Sequence, residues 1–223
     1  MPGPAWGEDS SADETLIAAN VATLLEALLV RAPARVTATN ALAHQWHRAI
    51  FAGVGSVPAE SYLGSPRGSP NADLADYEVE LADPFTGRVL AEGVPASMVA
   101  GELDRFEGAL MTATRSLDPV MPIGQPPATA DELLAVVELA AVAHGEWVRI
   151  HPYANGNGRT ARTWANWIAL RYGLPPFARI KPRPDGLLYG QAARASMGLP
   201  PDFRVDHSLT VSVFLDLLRQ RPA

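Results

Sequence analysis

The sequence predicts a single, mainly α-helical domain with one β-hairpin. About seven stretches repeat apolar residues at helical spacing, whereas only one segment alternates apolar and polar residues at period two. Of the 223 residues, 48% are hydrophobic and the formal net charge is −6, a composition typical of a folded chain. A domain of this length buries roughly 70% of its unfolded surface, so it needs neither a disulfide nor a metal to fold.

The residue types that are missing exclude several classes of function. Cysteine is absent, which excludes disulfides, cysteine-ligated zinc, iron–sulfur clusters and thiol catalysis. Lys181 is the only lysine among the 18 basic residues, and it stands between Ile180 and Pro182 rather than in a Gly-Lys-Ser/Thr loop. A Walker A phosphate loop is therefore excluded, and a protein-kinase fold is disfavoured. The negative charge also argues against general nucleic-acid binding.

The sequence carries no recognisable export or membrane signal. Its start is polar and lacks the basic segment of a signal peptide. No run of about 18 uncharged apolar residues occurs. We therefore predict a cytoplasmic protein without membrane contact, while export by a non-classical route stays open.

The first third of the chain predicts two helices and a long loop. Apolar spacing predicts a helix over residues 13–31, which Pro33 ends. Thr37–Asn40 offer N-caps for a second helix that extends to about residue 52. Residues 53–76 are rich in Gly, Ser and Pro and predict an irregular loop, in which we expect Arg67 to be solvated.

One segment predicts β-structure. Residues 77–81 and 88–92 alternate in polarity, and Asp83-Pro-Phe-Thr-Gly87 between them is typical of a turn. The pattern predicts one β-hairpin. Because an isolated hairpin cannot build a core, the core must come from the helices.

The remainder of the chain predicts five helices. Thr129 and Glu132 form a capping box at the start of the longest one. Four of the predicted helices cover about residues 96–115, 129–150, 185–197 and 206–220. The fifth lies between the second and third of these and ends near residue 172. Because there is no internal repeat, we assign residues 1–36 to an N-terminal tail and helix and residues 37–223 to the main domain, within one globular unit.

The segment His151-Pro-Tyr-Ala-Asn-Gly-Asn-Gly-Arg-Thr-Ala-Arg162 carries the candidate chemistry. Its glycines allow a tight turn that points backbone N–H groups at one spot, and the following helix dipole favours an anion there. Arg159 and Arg162 suit phosphate oxygens. His151 titrates near neutrality and can accept a proton from a hydroxyl. The combination predicts a base beside a phosphate site.

This segment resembles the Fic motif, His-Pro-Phe-x-Asp/Glu-Gly-Asn-Gly-Arg-x-x-Arg. Tyr153 replaces the usual phenylalanine, the helix around residues 44–51 resembles the family's upstream helix, and the hairpin at 77–92 resembles its target-docking flap. The resemblance implies a Fic-type helical bundle with one β-hairpin flap. The matching motif positions are His151, Pro152, Gly156, Asn157, Gly158, Arg159 and Arg162.

The resemblance also implies an activity, the transfer of AMP from ATP to a Ser, Thr or Tyr hydroxyl of a target protein, with release of pyrophosphate. His151 would be the general base, and the target would dock on the hairpin at 77–92. Gly156, Asn157 and Gly158 would hold phosphate oxygens. Arg159 and Arg162 would neutralise the β- and γ-phosphates, and ATP would be used with Mg²⁺.

Asn155 departs from the family pattern, which has an acidic, metal-binding residue here. An amide oxygen can ligate Mg²⁺, but it is neutral and binds more weakly. The protein would still use Mg²⁺, or be slower, or transfer another phosphate-containing group. A degenerate Fic domain that binds nucleotide or a partner without transfer is the alternative. The intact Gly-Asn-Gly favours nucleotidyl transfer.

The inhibitory helix that many Fic proteins carry, Ser/Thr-x-x-x-Glu-Gly/Asn, has no full match. Ser10 and Glu14 have the spacing, but Thr15 follows, and we expect this end to be frayed. Glu26 lacks the preceding Ser/Thr. The resemblance therefore implies either a separate antitoxin-like inhibitor or no inhibition of this type.

Several other residues have two interpretations. His44 and His47 are spaced for a metal on one helix face, but packing is favoured because no third ligand is evident. We expect His144 to support the site or pack, and Trp164 and Trp167 to lie in the core. Tyr189 stands where the family often has an aromatic residue near the adenine. Glu146 has no assigned role.

Overall fold

The computed structural model describes residues 4–6, 10–82, 89–184, 186–198 and 204–220. These residues form seven α-helices, one short 3₁₀-helix at Glu60–Tyr62 and two short strands. The mainly helical class predicted from the sequence is confirmed. The helices are α1 Ser11–Arg31, α2 Asn40–Ile50, α3 Ala96–Leu117, α4 Ala130–Ile150, α5 Asn157–Arg171, α6 Leu187–Ser196 and α7 Ser208–Arg219.

Helices α4 and α5 form the centre of the bundle. They pack against each other most extensively, and α3, α6 and α7 pack on α4 while α2 packs on α5. Trp147, Trp164 and Trp167 are essentially fully buried between them, so the predicted core role of the last two is confirmed. Burying side chains of this size supplies much of the apolar area that stabilises the fold. The loop between α4 and α5 is therefore anchored on both sides by rigid helices.

Helix α4 begins at the predicted capping box. The Thr129 hydroxyl accepts a hydrogen bond from the Glu132 N–H at 3.2 Å, and the Glu132 carboxylate accepts one from the Thr129 N–H. This reciprocal pair satisfies two of the otherwise unpaired donors at the helix start.

Helix α1 also begins with a capping box, and the expectation of a frayed end at residues 10–14 was wrong. Ser10 accepts from the Asp13 N–H, and Asp13 in turn accepts from Ser10. The Asp13 carboxylate also accepts from the Gly55 N–H at 2.9 Å, while Asn20 donates to the carbonyls of Ile50 and Ala52. These bonds fix α1 to the end of α2.

Strands β1 (Glu80–Ala82) and β2 (Val89–Glu92) pair in antiparallel fashion, with Glu80 opposite Glu92 and Leu81 opposite Ala91. Residues 77–79, predicted as strand, are not assigned to it, although the Gly93 N–H donates to the Val79 carbonyl at 3.2 Å. The predicted turn at 83–87 lies outside the described residues.

Within the described ranges, no helix has the length and apolar character that crossing a membrane requires. The cytoplasmic location stays a prediction.

Candidate active site

His151 ends helix α4 in a left-handed conformation, with φ 52° and ψ 55°. Such a conformation is uncommon for a residue other than glycine, so the surroundings must hold it. The ring Nδ1–H donates to the Val148 carbonyl at 3.1 Å. Because that carbonyl can only accept, the proton is assigned to Nδ1, and Nε2 keeps its lone pair.

The environment of His151 keeps its ring neutral. Burial, together with a smaller contribution from the cation of Arg67, lowers its pKa from 6.5 to about 4, although the hydrogen bond to Val148 acts in the opposite direction. A neutral imidazole with a free acceptor nitrogen can take a proton from a hydroxyl. The predicted role of His151 as a base is therefore chemically available at neutral pH.

Arg67 is fully buried, and the expectation that it would be solvated was wrong. Its Nε donates to the His151 carbonyl at 2.8 Å and its Nη2 to the Ile150 carbonyl at 3.2 Å. Its other donors reach the Tyr77 and Val94 carbonyls and the Glu78 carboxylate. No local pattern signals this, because its partners lie up to 84 positions away in the sequence.

Asn157 closes the turn between α4 and α5 on itself. Its Oδ1 accepts from the Tyr153 N–H at 2.8 Å, and its Nδ2 donates to the Tyr153 carbonyl at 2.7 Å. The Asn157 side chain therefore shapes the turn rather than presenting itself to a ligand. Tyr153 is fully buried, and its hydroxyl pairs with His44 Nδ1 at 2.7 Å.

Gly156 forms the N-cap of α5 with φ 81°, a conformation that favours glycine. A Cβ there would lie 2.4 Å from the Phe51 ring, so no side chain fits. Because α5 begins at Asn157, Arg159 lies in its first turn and Arg162 in its second. The Arg159 guanidinium lies over the Phe51 ring, 4.5 Å from its centroid.

Arg162 is nearly buried and bonded to neutral partners. Its Nη2 donates to the Ile180 carbonyl at 2.8 Å, and its Nη1 donates to the Tyr189 hydroxyl at 3.1 Å. That hydroxyl also lies within hydrogen-bond distance of His144 Nε2, at 2.8 Å. Burial lowers the pKa of His144 to about 3, so the ring is neutral. The structure thus gives Tyr189 a partner that the sequence did not predict.

His47 packs beneath the same turn. Its Nδ1 accepts from the Gly64 N–H at 2.9 Å, and its Nε2–H donates to the Asn155 carbonyl at 3.0 Å. Both ring nitrogens therefore have protein partners, which confirms the packing interpretation. Burial lowers the pKa of His47 to about 3.

A cavity of about 720 Å³ opens beside His151. It lies between the base of the hairpin, at Val79 and Gly93, and helix α6, and Tyr189 also lines it. Its volume is within the range of small-molecule sites. His151 and Tyr189 both line this cavity, whereas neither arginine lies on its wall. Arg162 donates to the Tyr189 hydroxyl from behind the wall. Arg159 lies over the Phe51 ring instead.

A family model described as the Fic/DOC family matches residues 38–169, more than half of the chain. The chain belongs to the Fic/DOC family. The resemblance inferred from the motif is therefore confirmed.

Curated relatives match only short segments of this Fic protein. The protein adenylyltransferase Fic of Nematostella vectensis is 47% identical over 55 residues, which is 24% of this chain and 13% of that protein. The protein adenylyltransferase fic-1 of Caenorhabditis elegans is 52% identical over 40 residues, 18% of this chain and 8% of that protein. A uridine 5'-monophosphate transferase of Xanthomonas campestris pv. campestris is 45% identical over 49 residues, 22% of this chain and 9% of that protein. The chain thus matches a small part of each relative.

Solved Fic structures share the fold. A Fic-domain-containing signaling protein from Bacteroides thetaiotaomicron aligns over 96% of this chain and 72% of its own, with a TM-score of 0.61 and 21% identity. The BepC effector of Bartonella tribocorum, solved with bound AMPPNP, aligns over 91% of this chain and 86% of its own, with a TM-score of 0.53 and 13% identity. At these identities the likeness concerns the fold alone.

Asn155, at the position that is acidic in the Fic motif, has its amide oxygen beside protein donors. Its Oδ1 accepts from the Gly156 N–H at 2.6 Å and lies 3.4 Å from Arg159 Nη2. A guanidinium beside the oxygen disfavours a second cation there. Across the part of the chain that the structure describes, no cluster of three or more His, Asp and Glu could hold a metal ion. The role of Asn155 as a weak metal ligand stays a prediction.

Glu146 and Glu14, which the sequence left without an assigned role or a matching partner, have structural partners. Glu146 pairs with Arg149 and with His207 Nε2 at 3.0 Å, joining α4 to the start of α7. Glu14 pairs with Lys181 at 3.2 Å. Lys181 directly follows Ile180, whose carbonyl accepts from Arg162. The glutamate at position 14 therefore lies near this region, but it pairs with the lysine.

Proposed function

We propose that this Fic protein transfers AMP from ATP to a hydroxyl group of a target protein and releases pyrophosphate. The observation that carries the proposal is the state of His151, which is neutral, keeps its Nε2 lone pair and lines the cavity beside the hairpin. The names of the matched relatives, adenylyl and uridylyl transferases, support the same reaction class.

The reaction needs one base and one leaving group. His151 Nε2 accepts the proton of the target hydroxyl as the oxygen attacks the α-phosphorus. The bond from that phosphorus to the bridging oxygen of the β-phosphate breaks, and pyrophosphate leaves with the electron pair. The imidazolium then returns its proton to solvent, so the base is regenerated.

The start of α5 supplies the positive side of the proposed site. The helix dipole and the guanidinium groups of Arg159 and Arg162 favour the triphosphate. The described partners of Arg162 are neutral oxygens. Because an anionic phosphate oxygen attracts the guanidinium by its charge, which a neutral hydroxyl does not, a phosphate oxygen would replace the Tyr189 hydroxyl favourably. Tyr189 would then be free to contact the nucleotide.

The hairpin base would align the target. Glu80 of β1 and the flanking residues Val79 and Gly93 line the cavity beside His151. An extended target segment would add to the strand edge through main-chain hydrogen bonds, which places a side-chain hydroxyl toward the base. Whether a separate antitoxin-like protein inhibits the reaction stays a prediction.

No step is assigned to a metal. Mg²⁺ that arrives with ATP would be held mainly by the phosphates of the nucleotide itself.

Incubation with labelled ATP and a cell lysate tests the proposal. Label should enter protein, and His151→Ala should abolish incorporation, whereas His207→Gln, a histidine that joins α4 and α7, should leave it intact. Nucleotide binding by calorimetry with no label transfer in Mg²⁺ or Mn²⁺ would instead support a degenerate, binding-only Fic domain.

The base of the nucleotide needs its own experiment, because one matched relative is named a uridine 5'-monophosphate transferase. The intact mass of the modified protein, measured after incubation with ATP, UTP or CDP-choline, identifies the transferred group by the mass that it adds. We expect the mass of AMP. A gain of UMP or of phosphocholine would replace the proposed donor while keeping the role of His151.

A further inference from the structure

The three successive carbonyls at the end of helix α4 all accept hydrogen bonds from one residue of a distant loop. Arg67 Nη2 reaches the Ile150 carbonyl, Arg67 Nε reaches the His151 carbonyl at 2.8 Å, and the Arg67 backbone N–H donates to the Pro152 carbonyl at 2.7 Å. Terminal carbonyls of a helix lack partners within it and carry its negative dipole end. Arg67 supplies both the donors and the positive charge, and so holds the left-handed turn at His151.

The same guanidinium holds both sides of the hairpin. Its Nη1 donates to the Tyr77 carbonyl at 3.0 Å, just before the first strand, and its Nη2 donates to the Val94 carbonyl at 2.7 Å, just after the second. Glu78 pairs with Nη1 at 3.1 Å, and its carboxylate also accepts from the Ala96 N–H at the start of α3. One planar group therefore connects the hairpin, α3 and the turn at His151.

Gly93 shows how closely these parts pack. A Cβ at this position would lie 2.8 Å from Arg67 Nη2, 3.0 Å from the His151 Cβ and 3.0 Å from Val79. There is no room for the hairpin to shift toward His151 without moving Arg67. The hairpin and the base are thus in mechanical contact through this side chain.

We propose that Arg67 is a positioning residue that couples the hairpin to His151, so that docking of a target strand and alignment of the base depend on each other. The inference rests on the proposed transfer reaction. Arg67 touches neither substrate nor the reacting atoms in this arrangement. It acts because its rigid fork fixes five oxygens at once, which the single nitrogen of lysine cannot reproduce.

Arg67→Lys tests the coupling, since it keeps the charge and removes the fork. We expect kcat for transfer to a protein target to fall about 10- to 100-fold, because small errors in placing a reacting group have effects of this size. ATP affinity measured by calorimetry should change less than about threefold, since Arg67 does not contact the start of α5. A purely structural role would lower the amount of folded protein without this split.

Arg35→Lys is the matched control. Arg35 is another largely buried arginine that donates to two carbonyls, those of Asp118 at 2.7 Å and Met121 at 2.6 Å, away from the cavity. Arg35→Lys should lower the melting temperature by about as much as Arg67→Lys does, and it should leave kcat unchanged. If Arg67→Lys does not fold, Glu78→Gln is a milder second variant, because Glu78 is more than half exposed. This variant should lower kcat a few-fold and leave ATP affinity unchanged.

A readout independent of activity separates this inference from the proposed function. The imidazole signals of His151 and the exchange rate of the Gly93 amide, which bonds to Val79, should change in Arg67→Lys and not in Arg35→Lys. If wild type transfers no nucleotide, the proposed reaction fails while these signals still report the coupling. Unchanged kcat and unchanged His151 signals in Arg67→Lys would overturn it, as would an equal fall of kcat in Arg35→Lys.

Discussion

Arg67 and Arg162 are both buried guanidinium groups beside neutral histidines, yet they are bound in different ways. Arg67 donates to four carbonyls and one carboxylate, and it sits behind His151. Arg162 is held by one carbonyl and by the hydroxyl of Tyr189, a residue that lines the cavity. The first is committed to the protein, whereas the second has a partner that a ligand can displace. The comparison teaches that burial of an arginine does not by itself show whether it binds a substrate.

Lowering the pH should have the largest effect on the free energy of unfolding, because neutral histidines lie in both arginine regions. Burial lowers the pKa of His44 and His151 to about 4 and of His47 and His144 to about 3. The unfolded chain binds these protons near pH 6.5, so stability is complete above that pH and is lost as pH falls toward 4. Four protons correspond to a slope of roughly 5 kcal/mol per pH unit.

Denaturant unfolding at pH 7 and at pH 5 measures this loss. His44→Gln removes one of the four groups and should reduce the slope by about one quarter. An equal free energy of unfolding at both pH values would show that these rings are not kept neutral by the fold.

Adding a side chain at Gly93, next to Arg67, should have the next largest effect on the free energy of unfolding. Gly93→Ala inserts a methyl group against Arg67, His151 and Val79, and we expect a loss of about 1–3 kcal/mol together with slower transfer. Gly101→Ala is the matched control, because nothing lies within 4 Å of its added Cβ in helix α3, and it should be stabilising by up to about 1 kcal/mol. Equal behaviour of the two variants in thermal unfolding would contradict the close packing.

Removing the hydroxyl between Arg162 and His144 should cost less. Tyr189→Phe leaves one donor of Arg162 and the Nε2 atom of His144 without this partner, for an expected loss of about 1–3 kcal/mol in the free energy of unfolding. ATP affinity should be kept or rise, because a phosphate then has one competitor fewer. A large loss of ATP affinity would instead show that the hydroxyl itself binds the nucleotide.

Asn155→Asp should have the smallest effect. The new carboxylate lies beside Arg159 and should add no more than about 1 kcal/mol of stability. The Mg²⁺ concentration needed for half-maximal transfer should change less than about threefold, since the oxygen faces the Gly156 N–H. A fall of tenfold or more would mean that the amide limits metal use.

The helices and the motif turn could be predicted because their signals are local. Thr129 and Glu132 are three residues apart, and the glycine required at position 156 is in the motif itself. The roles of Arg67 and Tyr189 could not be predicted, because the partners of Arg67 lie up to 84 positions away and those of Tyr189 lie 27 and 45 positions away. Asn157 was expected to hold phosphate oxygens, and the bonds of its side chain to Tyr153 became visible only with the turn geometry.

The hydrogen bond from the Gly156 N–H to Asn155 Oδ1 has an energetic consequence for the proposed phosphate site. One backbone donor at the start of α5 is paired with a neutral side chain of the same loop. A carboxylate at position 155 would hold that donor more tightly, because hydrogen bonds to charged acceptors are stronger. In the proposed reaction, a phosphate oxygen would therefore displace the amide from this donor at a lower cost than it would displace a carboxylate.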